Sequence, residues 1–254
     1  MVLGGREMKK YLAEIIVGSV ALLAFIGITI FVFAIGSLQF DTDVFNTVAQ
    51  LRYGGFIDFF KVITFFGGVI FNIGFVVVSI SFLFNRNRST YKVYFKNDKF
   101  NNLVNLFLPW LIFAFTILIE FIIFFSLKNI FARPRPVEWF LVNQGGYSFP
   151  SGHTTTATTL YGTLVMLINN STDKKWVKIL TWTLMPIIVV LIGISRIFLG
   201  VHYTTDVLAG LMLGIVMLCI ASVVIRTLNP KICYKNIADK GNIAGKDEKI
   251  AQGE

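Results

Sequence analysis

Residues 15–35 read IIVGSVALLAFIGITIFVFAI, a run of 21 residues without one charged side chain. A helix of about 20 apolar residues crosses the hydrocarbon core of a bilayer, because each residue rises about 1.5 Å. The run is longer than the apolar part of a secretory signal and lacks a clear small-residue cleavage site. We therefore interpret it as a retained first transmembrane helix, which indicates an integral membrane protein.

The composition of the whole chain agrees with a membrane location. Of its 254 residues, 55% are hydrophobic and 15% are charged, whereas soluble domains carry about a quarter charged residues. The net charge of +9 comes from cations that lie between apolar runs. Basic residues in such loops are typical of the signals that orient membrane proteins, so this placement argues against nucleic-acid binding. The two cysteines, Cys219 and Cys233, indicate no disulfide framework.

The apolar runs predict an all-α fold, an integral membrane bundle of six transmembrane helices. Their expected positions are about 12–35, 56–84, 103–127, 153–169, 177–194 and 204–226. We predict one membrane domain over residues 1–229, with its core at 10–226. The polar residues 230–254 are predicted to form a disordered cytoplasmic tail.

The basic residues predict the orientation of this bundle. Seventeen of the 23 Lys and Arg residues fall in the N-terminal segment, the loops after the second and fourth predicted helices, and the tail. These segments share one face, which the positive-inside rule makes cytoplasmic together with both termini. The other face keeps six basic residues: Arg52, Lys61, Lys128, Arg133, Arg135 and Arg196.

Three polar segments are expected to meet on that outer face. They are Lys128–Pro136 (KNIFARPRP), Pro150–His153 (PSGH) and Ser195–Asp206 (SRIFLGVHYTTD). The first two lie in the loop between the third and fourth predicted helices, and the last lies between the fifth and sixth. Since two membrane crossings separate these loops, both open on the same side. We therefore predict a single extracytoplasmic site.

The residue types in these segments suit phosphate chemistry. His202 and Asp206 are four residues apart, so on a helix the carboxylate can accept a hydrogen bond from one ring nitrogen and leave the other free to attack. Ser151 and Gly152 precede an apolar run, which predicts a helix start whose free N–H groups can bind an anion. The simpler alternative is a helix cap without a ligand.

Three cations, Lys128, Arg135 and Arg196, can hold phosphate oxygens and neutralise the charge of a transition state. The alternative is contact with anionic lipids. Arg133 does not fit the spacing, so we interpret it as a bystander or a head-group contact. Glu120 lies about two turns from Lys128 in the third predicted helix, and we expect it to be a structural partner for one of the motif cations.

The combined pattern K-x6-R-P, P-S-G-H and S-R-x5-H-x3-D resembles the three-part signature of the type 2 phosphatidic acid phosphatase superfamily. The positions that match are Lys128, Arg135, Pro136, Pro150, Ser151, Gly152, His153, Ser195, Arg196, His202 and Asp206. The six-helix layout extends the resemblance over about residues 10–226.

The resemblance implies a catalytic role for three residues. His202 would attack phosphorus and form a phosphohistidine, Asp206 would orient His202, and His153 would protonate the leaving oxygen and then help water attack. The substrate would be bound by Lys128, Arg135, Ser151, Gly152 and Arg196. The family needs neither a metal nor another cofactor, and we infer no obligate protein partner.

These features predict a membrane lipid phosphatase that hydrolyses a lipid phosphate or diphosphate at the extracytoplasmic face. Our first expectation for the substrate is undecaprenyl diphosphate, followed by phosphatidylglycerophosphate or phosphatidate. One alternative is a non-enzymatic lipid-phosphate binder or transporter. Another is the chemistry of vanadate-dependent haloperoxidases, which share the family's pocket but are soluble. Six spans argue against that second alternative.

Overall fold

The computed structural model describes residues 11–78, 81, 99–136 and 140–228. Every regular element in these ranges is a helix, so the all-α prediction is confirmed for this part of the chain. We number the α-helices α1 to α8: Leu12–Ile30, Leu38–Ala49, Gly55–Phe65, Val69–Val78, Lys99–Phe131, Gly152–Ser171, Lys175–Phe198 and Thr204–Leu228. The predicted tail at 230–254 lies outside the described residues.

Four of the described helical segments are long and apolar enough to cross a membrane. They are α1 with its continuation to Gly36, the part of α5 from Leu111 to Phe131, α7 and α8. The pair α3 and α4 makes a fifth if its two bent halves form one span. Helix α6 has 20 residues and is about 30 Å long, but it is too polar to pass the same test. The described helices thus show a membrane protein with four or five clear spans.

Helix α6 is polar because protein, and not lipid, surrounds most of it. The side chains of Thr155 and Thr159 are fully buried. Hydroxyl groups on this helix donate to backbone carbonyls one turn earlier, as Thr158 does to Thr154 at 2.7 Å. The hydroxyls of Thr155, Thr158 and Thr159 are therefore paired with their own helix, which lowers the cost of burying them, whereas Oγ1 of Thr163 has no partner in hydrogen-bond geometry.

Helices α6 and α8 approach each other closely at two glycines of α8. A Cβ atom on Gly210 would lie 2.6 Å from the carbonyl oxygen of Ser151, and one on Gly214 would lie 2.5 Å from Cβ of Thr158. Only glycine fits at such distances. This contact holds the start of α8 against the start of α6, where the PSGH and His-x3-Asp segments lie.

The predicted second helix, at about 56–84, is wrong as one continuous element. Helix α3 ends at Phe65, α4 begins at Val69, and the two axes differ by 54°. The reason is a close approach of the backbone at Gly67, where a Cβ atom would lie 2.7 Å from Cγ2 of Ile192 and 3.3 Å from Cδ2 of His153. The bend therefore brings the chain against the candidate site.

Helix α2 is an element that the sequence analysis did not predict. After α1, a π-helical turn ends at Gly36, whose φ of 99° favours glycine and turns the chain. Helix α2 then presents Asp41 and Phe45 to the protein, while Leu38 and Phe40 on it are exposed. Asp41 thus reaches the protein interior from a helix whose exposed face mixes apolar and polar residues.

An aromatic cluster fixes the approach to the PSGH segment. Phe149, fully buried, packs edge-on against Phe33 and Phe131, with ring centroids 5.3 and 5.4 Å apart. Phe25 adds a tilted contact at 6.1 Å. Aromatic pairs at these separations are favourable beyond the area they bury. The cluster ties α1 and the end of α5 to the residue before Pro150.

Candidate active site

The structure brings the three polar segments together at one end of the bundle. Lys128 lies near the end of α5, Arg196 in the last turn of α7, and Asp206 in the first turn of α8. The backbone N–H of Ser151 donates to the carbonyl of Asp206 at 3.0 Å. Arg135 Nη1 lies 3.2 Å from Nε2 of His202. The predicted meeting of the segments is therefore confirmed as geometry.

His202 and Asp206 face each other as the four-residue spacing predicts. Nδ1 of His202 lies 3.4 Å from Oδ2 of Asp206, and this carboxylate oxygen also accepts the backbone N–H of Tyr203 at 2.9 Å. The imidazole is buried, with 2% of its surface exposed. The contact from Nδ1 falls outside hydrogen-bond geometry, so the two groups are aligned without a closed bond.

The surroundings of His202 keep its ring neutral. Burial lowers the pKa of His202 well below its ordinary value, and the positive charges of Lys128, Arg196 and Arg135 lower it further. Arginine can only donate, so Nε2 must accept from Arg135 and carry a lone pair. The proton of the neutral ring then lies on Nδ1, facing Asp206, and Nε2 is the nitrogen able to attack.

Lys128 and Arg135 both donate to the loop that precedes α6. Nζ of Lys128 donates to the carbonyls of Tyr147 and Ser148, at 2.8 and 3.0 Å. Arg135 donates to the carbonyls of Gly146 through Nε and Gly145 through Nη2, at 2.9 and 3.0 Å. Two cations are thus held beside His202 by backbone oxygens, which orient them without neutralising their charge.

Arg196 is placed by two polar side chains that the sequence analysis missed. Its Nη1 donates to Oγ1 of Thr64 at 2.6 Å, and its Nη2 donates to Oε1 of Gln144 at 2.7 Å. Only 1% of Arg196 is exposed. No local pattern predicts these partners, because Thr64, near the end of α3, is 132 residues from Arg196 and Gln144 is 52 residues from it.

Ser151 is the residue before α6, as predicted, but its side chain does not cap the helix backbone. Its hydroxyl pairs with the hydroxyl of Thr154 at 3.0 Å. A Cβ atom on Gly152 would lie 3.1 Å from Cε2 of Phe124, so the helix start packs tightly. His153 follows, half-buried, and Arg196 is the charged side chain that acts on it most strongly.

The structure corrects the interpretation of Arg133. This residue is 9% exposed and is not a lipid contact. Its Nη1 lies 2.6 Å from Oδ1 of Asp206, and its Nη2 lies 2.7 Å from Oδ2 of Asp41. Its guanidinium carbon also lies 4.2 Å from the ring centroid of Tyr203. A rule based on spacing within one motif could not find a partner that is 92 residues away.

Glu120 also departs from expectation. Its side chain is fully buried in α5 and forms no ion pair with a motif cation in the described part of the chain. The carboxylate lies beside the hydroxyls of Thr156 and Thr159 on α6, without a partner in hydrogen-bond geometry. The expected cation partner was therefore wrong.

The arrangement as a whole is suited to an anionic group bearing phosphorus. A neutral imidazole whose Nε2 lone pair is directed toward Arg135 lies among three cations, and a second histidine lies near the same cations. Such preorganised donors stabilise developing charge when they need not move during the reaction. No cluster of three or more metal-ligating side chains occurs among the described residues.

Comparison with known proteins agrees with these features. Residues 109–230 match the PAP2 superfamily. The chain is 40% identical over 96 residues to phosphatidylglycerophosphatase B of Bacillus subtilis, covering 36% of this chain and 45% of that one. It is 37% identical over 82 residues to an undecaprenyl-diphosphatase of Sulfolobus acidocaldarius, covering 32% of each. The matched parts thus span less than half the length of these relatives.

Two solved structures share the fold. A transmembrane PAP2-type phosphatidylglycerolphosphate phosphatase from Bacillus subtilis superposes with a TM-score of 0.65 at 23% identity, covering 81% of this chain and 94% of that one. LpxE of Aquifex aeolicus gives a TM-score of 0.52 at 23% identity, covering 72% and 94%. At these identities the likeness establishes the architecture.

Proposed function

Because the chain carries a PAP2 superfamily domain over residues 109–230, we propose that it is a membrane lipid phosphatase working through a phosphohistidine. The observation that carries the proposal is the position of Nε2 of His202. This atom bears the lone pair of a neutral ring and lies 3.2 Å from Arg135. A phosphate bound by the cations would meet the nucleophile at the same place.

In the first step, Nε2 of His202 attacks phosphorus and the bond between phosphorus and the leaving oxygen breaks. That oxygen is the ester oxygen of a lipid monophosphate or the bridging oxygen of a lipid diphosphate. The electrons of that bond go to the leaving oxygen, which takes a proton from His153. The ring of His202 becomes cationic as the phosphorus–nitrogen bond forms, and the carboxylate of Asp206, 3.4 Å from Nδ1, stabilises that charge.

In the second step, His153 removes a proton from water, and the water oxygen attacks phosphorus. The phosphorus–nitrogen bond breaks, so His202 recovers its lone pair and inorganic phosphate is released. His153 regains the proton that it gave to the leaving oxygen, which closes the cycle. The lipid leaves with a free hydroxyl, or with one phosphate fewer if the substrate was a diphosphate.

The cations take the place that a metal ion has in other phosphatases. Lys128, Arg135 and Arg196 bind the phosphate oxygens together with the N–H groups at the start of α6 and the hydroxyl of Ser151. Fixed positive charges of this kind stabilise phosphoryl transfer by electrostatics alone. The proposed reaction requires no metal, and we expect turnover to continue in EDTA.

We propose six spans, with α3 and α4 forming one and α6 another. Both termini are then cytoplasmic and the candidate site is extracytoplasmic. The distribution of basic residues supports this orientation, since 17 of 23 lie in segments on the other face. A site at the membrane surface suits a substrate whose apolar chains remain in the bilayer while its phosphate enters the pocket.

For the substrate, we propose undecaprenyl diphosphate, a carrier lipid that is released as a diphosphate on the outer face. A diphosphate also has a good leaving group, so its departure depends less on a proton from His153. Phosphatidylglycerophosphate is the second candidate. It is supported by the name of the relative from Bacillus subtilis, which is 40% identical over 96 residues. Phosphatidate remains a third member of the same class.

Phosphate release by the purified protein tests the proposal and ranks these lipids. The assay compares undecaprenyl diphosphate, phosphatidylglycerophosphate and phosphatidate in mixed micelles with EDTA present, and His202→Ala serves as the inactive control. We expect release from at least one lipid, with the highest kcat/KM for undecaprenyl diphosphate. A kcat/KM at least tenfold higher for either phospholipid than for undecaprenyl diphosphate would show that the proposed substrate is wrong, while the reaction class would stand.

The same assay separates the enzyme from a non-enzymatic binder or transporter. A binder would retain the lipid phosphate without releasing inorganic phosphate. If the folded protein bound these lipids and released none from any of them, the proposed activity would be wrong.

A further inference from the structure

We propose that Asp41 and Arg133 are positioning residues that hold Asp206 in the orientation His202 needs, an inference that rests on the proposed function. Arg133 bridges the two carboxylates, with Nη1 2.6 Å from Oδ1 of Asp206 and Nη2 2.7 Å from Oδ2 of Asp41. The chain of contacts Asp41, Arg133, Asp206 and His202 is buried along its whole length.

The two oxygens of Asp206 have separate partners, and this fixes the carboxylate. Oδ1 accepts from Arg133, while Oδ2 accepts the N–H of Tyr203 at 2.9 Å and faces Nδ1 of His202 at 3.4 Å. With Arg133 in place, the carboxylate cannot rotate without losing a charge-assisted hydrogen bond. Oδ2 is therefore held toward the imidazole, which selects the tautomer with its lone pair on Nε2.

Asp41 fixes Arg133 in turn. Its Oδ2 accepts from Arg133, from Oγ of Ser37 at 2.8 Å and from Oγ1 of Thr205 at 2.7 Å, and its Oδ1 accepts the backbone N–H of Thr205 at 3.0 Å. The carboxylate is fully buried, and each oxygen is paired. A rigid anion thus sets the plane of the guanidinium that clamps Asp206.

The charges in this series of contacts support a role in catalysis. Asp41 balances the charge of Arg133, so the negative charge of Asp206 remains available to the ring of His202 as that ring becomes cationic. Without Arg133, burial would destabilise the ionised form of Asp206, because a carboxylate that leaves water needs a cation or several hydrogen-bond donors.

Asp41 lies outside the three signature segments and outside the family match at 109–230. It reaches the site from the first turn of α2, directly after the turn at Gly36. Asp41 and Thr205 are 164 residues apart in sequence. The N-terminal part of the chain thus supplies a residue to the site that the signature does not contain.

A purely structural role makes a different prediction. Asp41 also pins α2 to the start of α8 through the N–H and hydroxyl of Thr205. If that were its whole contribution, Asp41→Asn would lower the melting temperature and leave the kinetics of the folded enzyme unchanged. A positioning role should instead slow the attack of His202 while substrate binding stays normal.

The test uses Asp41→Asn and Arg133→Gln in the full-length protein, with Glu14→Gln as a matched control. Glu14 pairs with Arg226 at 2.6 Å and joins α1 to α8 near the opposite ends of the two helices from the candidate site. This control also breaks an ion pair between a carboxylate and an arginine, here 13% and 33% exposed, without touching the site. For each protein we would measure kcat, KM, the melting temperature, and the inhibition constants of vanadate and of inorganic phosphate.

We expect kcat to fall on the order of 10–100-fold in both site variants, as for other residues that orient a reacting group. KM and the phosphate inhibition constant should stay within about threefold, because the cations still bind the ground state. Vanadate mimics the transition state on the nucleophile, so its inhibition constant should rise in step with the loss of kcat. Glu14→Gln should keep the wild-type kcat, KM and both inhibition constants, even where loss of its ion pair lowers the melting temperature.

A kcat within twofold of wild type in folded Asp41→Asn or Arg133→Gln would overturn the proposal, as would equal weakening of vanadate and phosphate. If neither variant folds, Ser37→Ala replaces them, since Oγ of Ser37 donates to Asp41 and accepts from Arg133 at 3.1 Å. Losing this bridge should lower kcat about two- to tenfold, the range of one hydrogen bond. An unchanged kcat in Ser37→Ala would then overturn the proposal.

His202→Ala keeps this inference distinct from the proposed function. If His202→Ala retains turnover, the phosphohistidine mechanism itself fails. If His202→Ala is inactive and the kinetics of the site variants equal those of wild type, the mechanism survives and only the positioning role is wrong.

Discussion

Nη1 of Arg135 lies 3.2 Å from Nε2 of His202 in a site where both residues are at least half-buried. Because the guanidinium can only donate, this contact assigns the lone pair of the imidazole to Nε2. The same contact places that lone pair where Arg135 would hold a phosphate oxygen. One interaction thus links the protonation state of the ring to the site of phosphate binding.

The first prediction concerns the pH dependence of stability. Burial and the charges of Lys128, Arg196 and Arg135 lower the pKa of His202, so the unfolded chain takes up this proton before the folded protein does. The free energy of unfolding therefore keeps the full contribution of neutral His202 above about pH 6.5. As the pH falls from there toward the pKa of His202 in the folded protein, this contribution is lost by up to about 1.4 kcal/mol per pH unit.

Thermal unfolding of wild type and His202→Asn measures this effect, since asparagine does not titrate. Between about pH 7.5 and about pH 5, on either side of the ordinary histidine pKa, the melting temperature of wild type should fall more steeply than that of the variant. Parallel curves would contradict a lowered pKa at His202.

The second prediction concerns the bend between α3 and α4. Gly67→Ala places a methyl group 2.7 Å from Cγ2 of Ile192 and 3.3 Å from Cδ2 of His153. We expect a loss of stability of about 1–3 kcal/mol, as for other overpacked sites, together with lower activity because His153 is displaced. Gly74→Ala, in α4, has open space around its Cβ and is the matched control.

Urea unfolding and phosphate release on both alanine variants check this prediction. Gly74→Ala should match wild type, because its new methyl group meets no atom within 4 Å. Equal behaviour of Gly67→Ala and Gly74→Ala would show that the close approach at Gly67 does not constrain the site.

These contacts show which features the sequence could predict and which it could not. Hydropathy predicts the membrane helices because the composition of each apolar run is enough to indicate burial in lipid or protein. The bounds of α8 at Thr204–Leu228, for example, lie close to the predicted 204–226. The tripartite pattern also predicts the meeting of Arg135, His202 and Asp206, since loop order alone sets which side each segment reaches.

The remaining features depend on contacts between distant segments. The bend at Gly67 follows from the side chains of Ile192 and His153, and no local pattern reports them. The motif spacing argues against a role for Arg133, and its partner Asp41 lies in α2, a helix not predicted from the sequence. An amphipathic pattern over residues 38–49 was the available signal for α2.

The third prediction concerns topology. Single cysteines placed between residues 140 and 147 should react with an impermeant thiol reagent on intact cells, while cysteines between 85 and 98 should react only after the membrane is opened. The distribution of basic residues gives the physical reason. Cys219 and Cys233 are first replaced by serine to remove the background. The reverse labelling pattern would contradict the proposed orientation.

The fourth prediction separates the two histidines by leaving group. His153→Ala should slow hydrolysis of a lipid monoester by about 10²–10⁴-fold, the usual contribution of a general acid. The loss should be smaller for nitrophenyl phosphate, because its leaving oxygen departs without a proton. His202→Ala should abolish both reactions, since a nucleophile is needed for either substrate. An equal loss for both substrates in His153→Ala would remove its role as the acid.

The central claim, attack by His202 on phosphorus, is tested most directly by trapping the intermediate. Enzyme is mixed with a lipid substrate carrying ³²P in its terminal phosphate, quenched in alkali to preserve phosphohistidine, digested and sequenced. The account predicts label on the peptide that contains His202, retained in His153→Ala and absent from His202→Ala. Label on any other residue, or His202→Ala retaining more than a tenth of wild-type turnover, would contradict it.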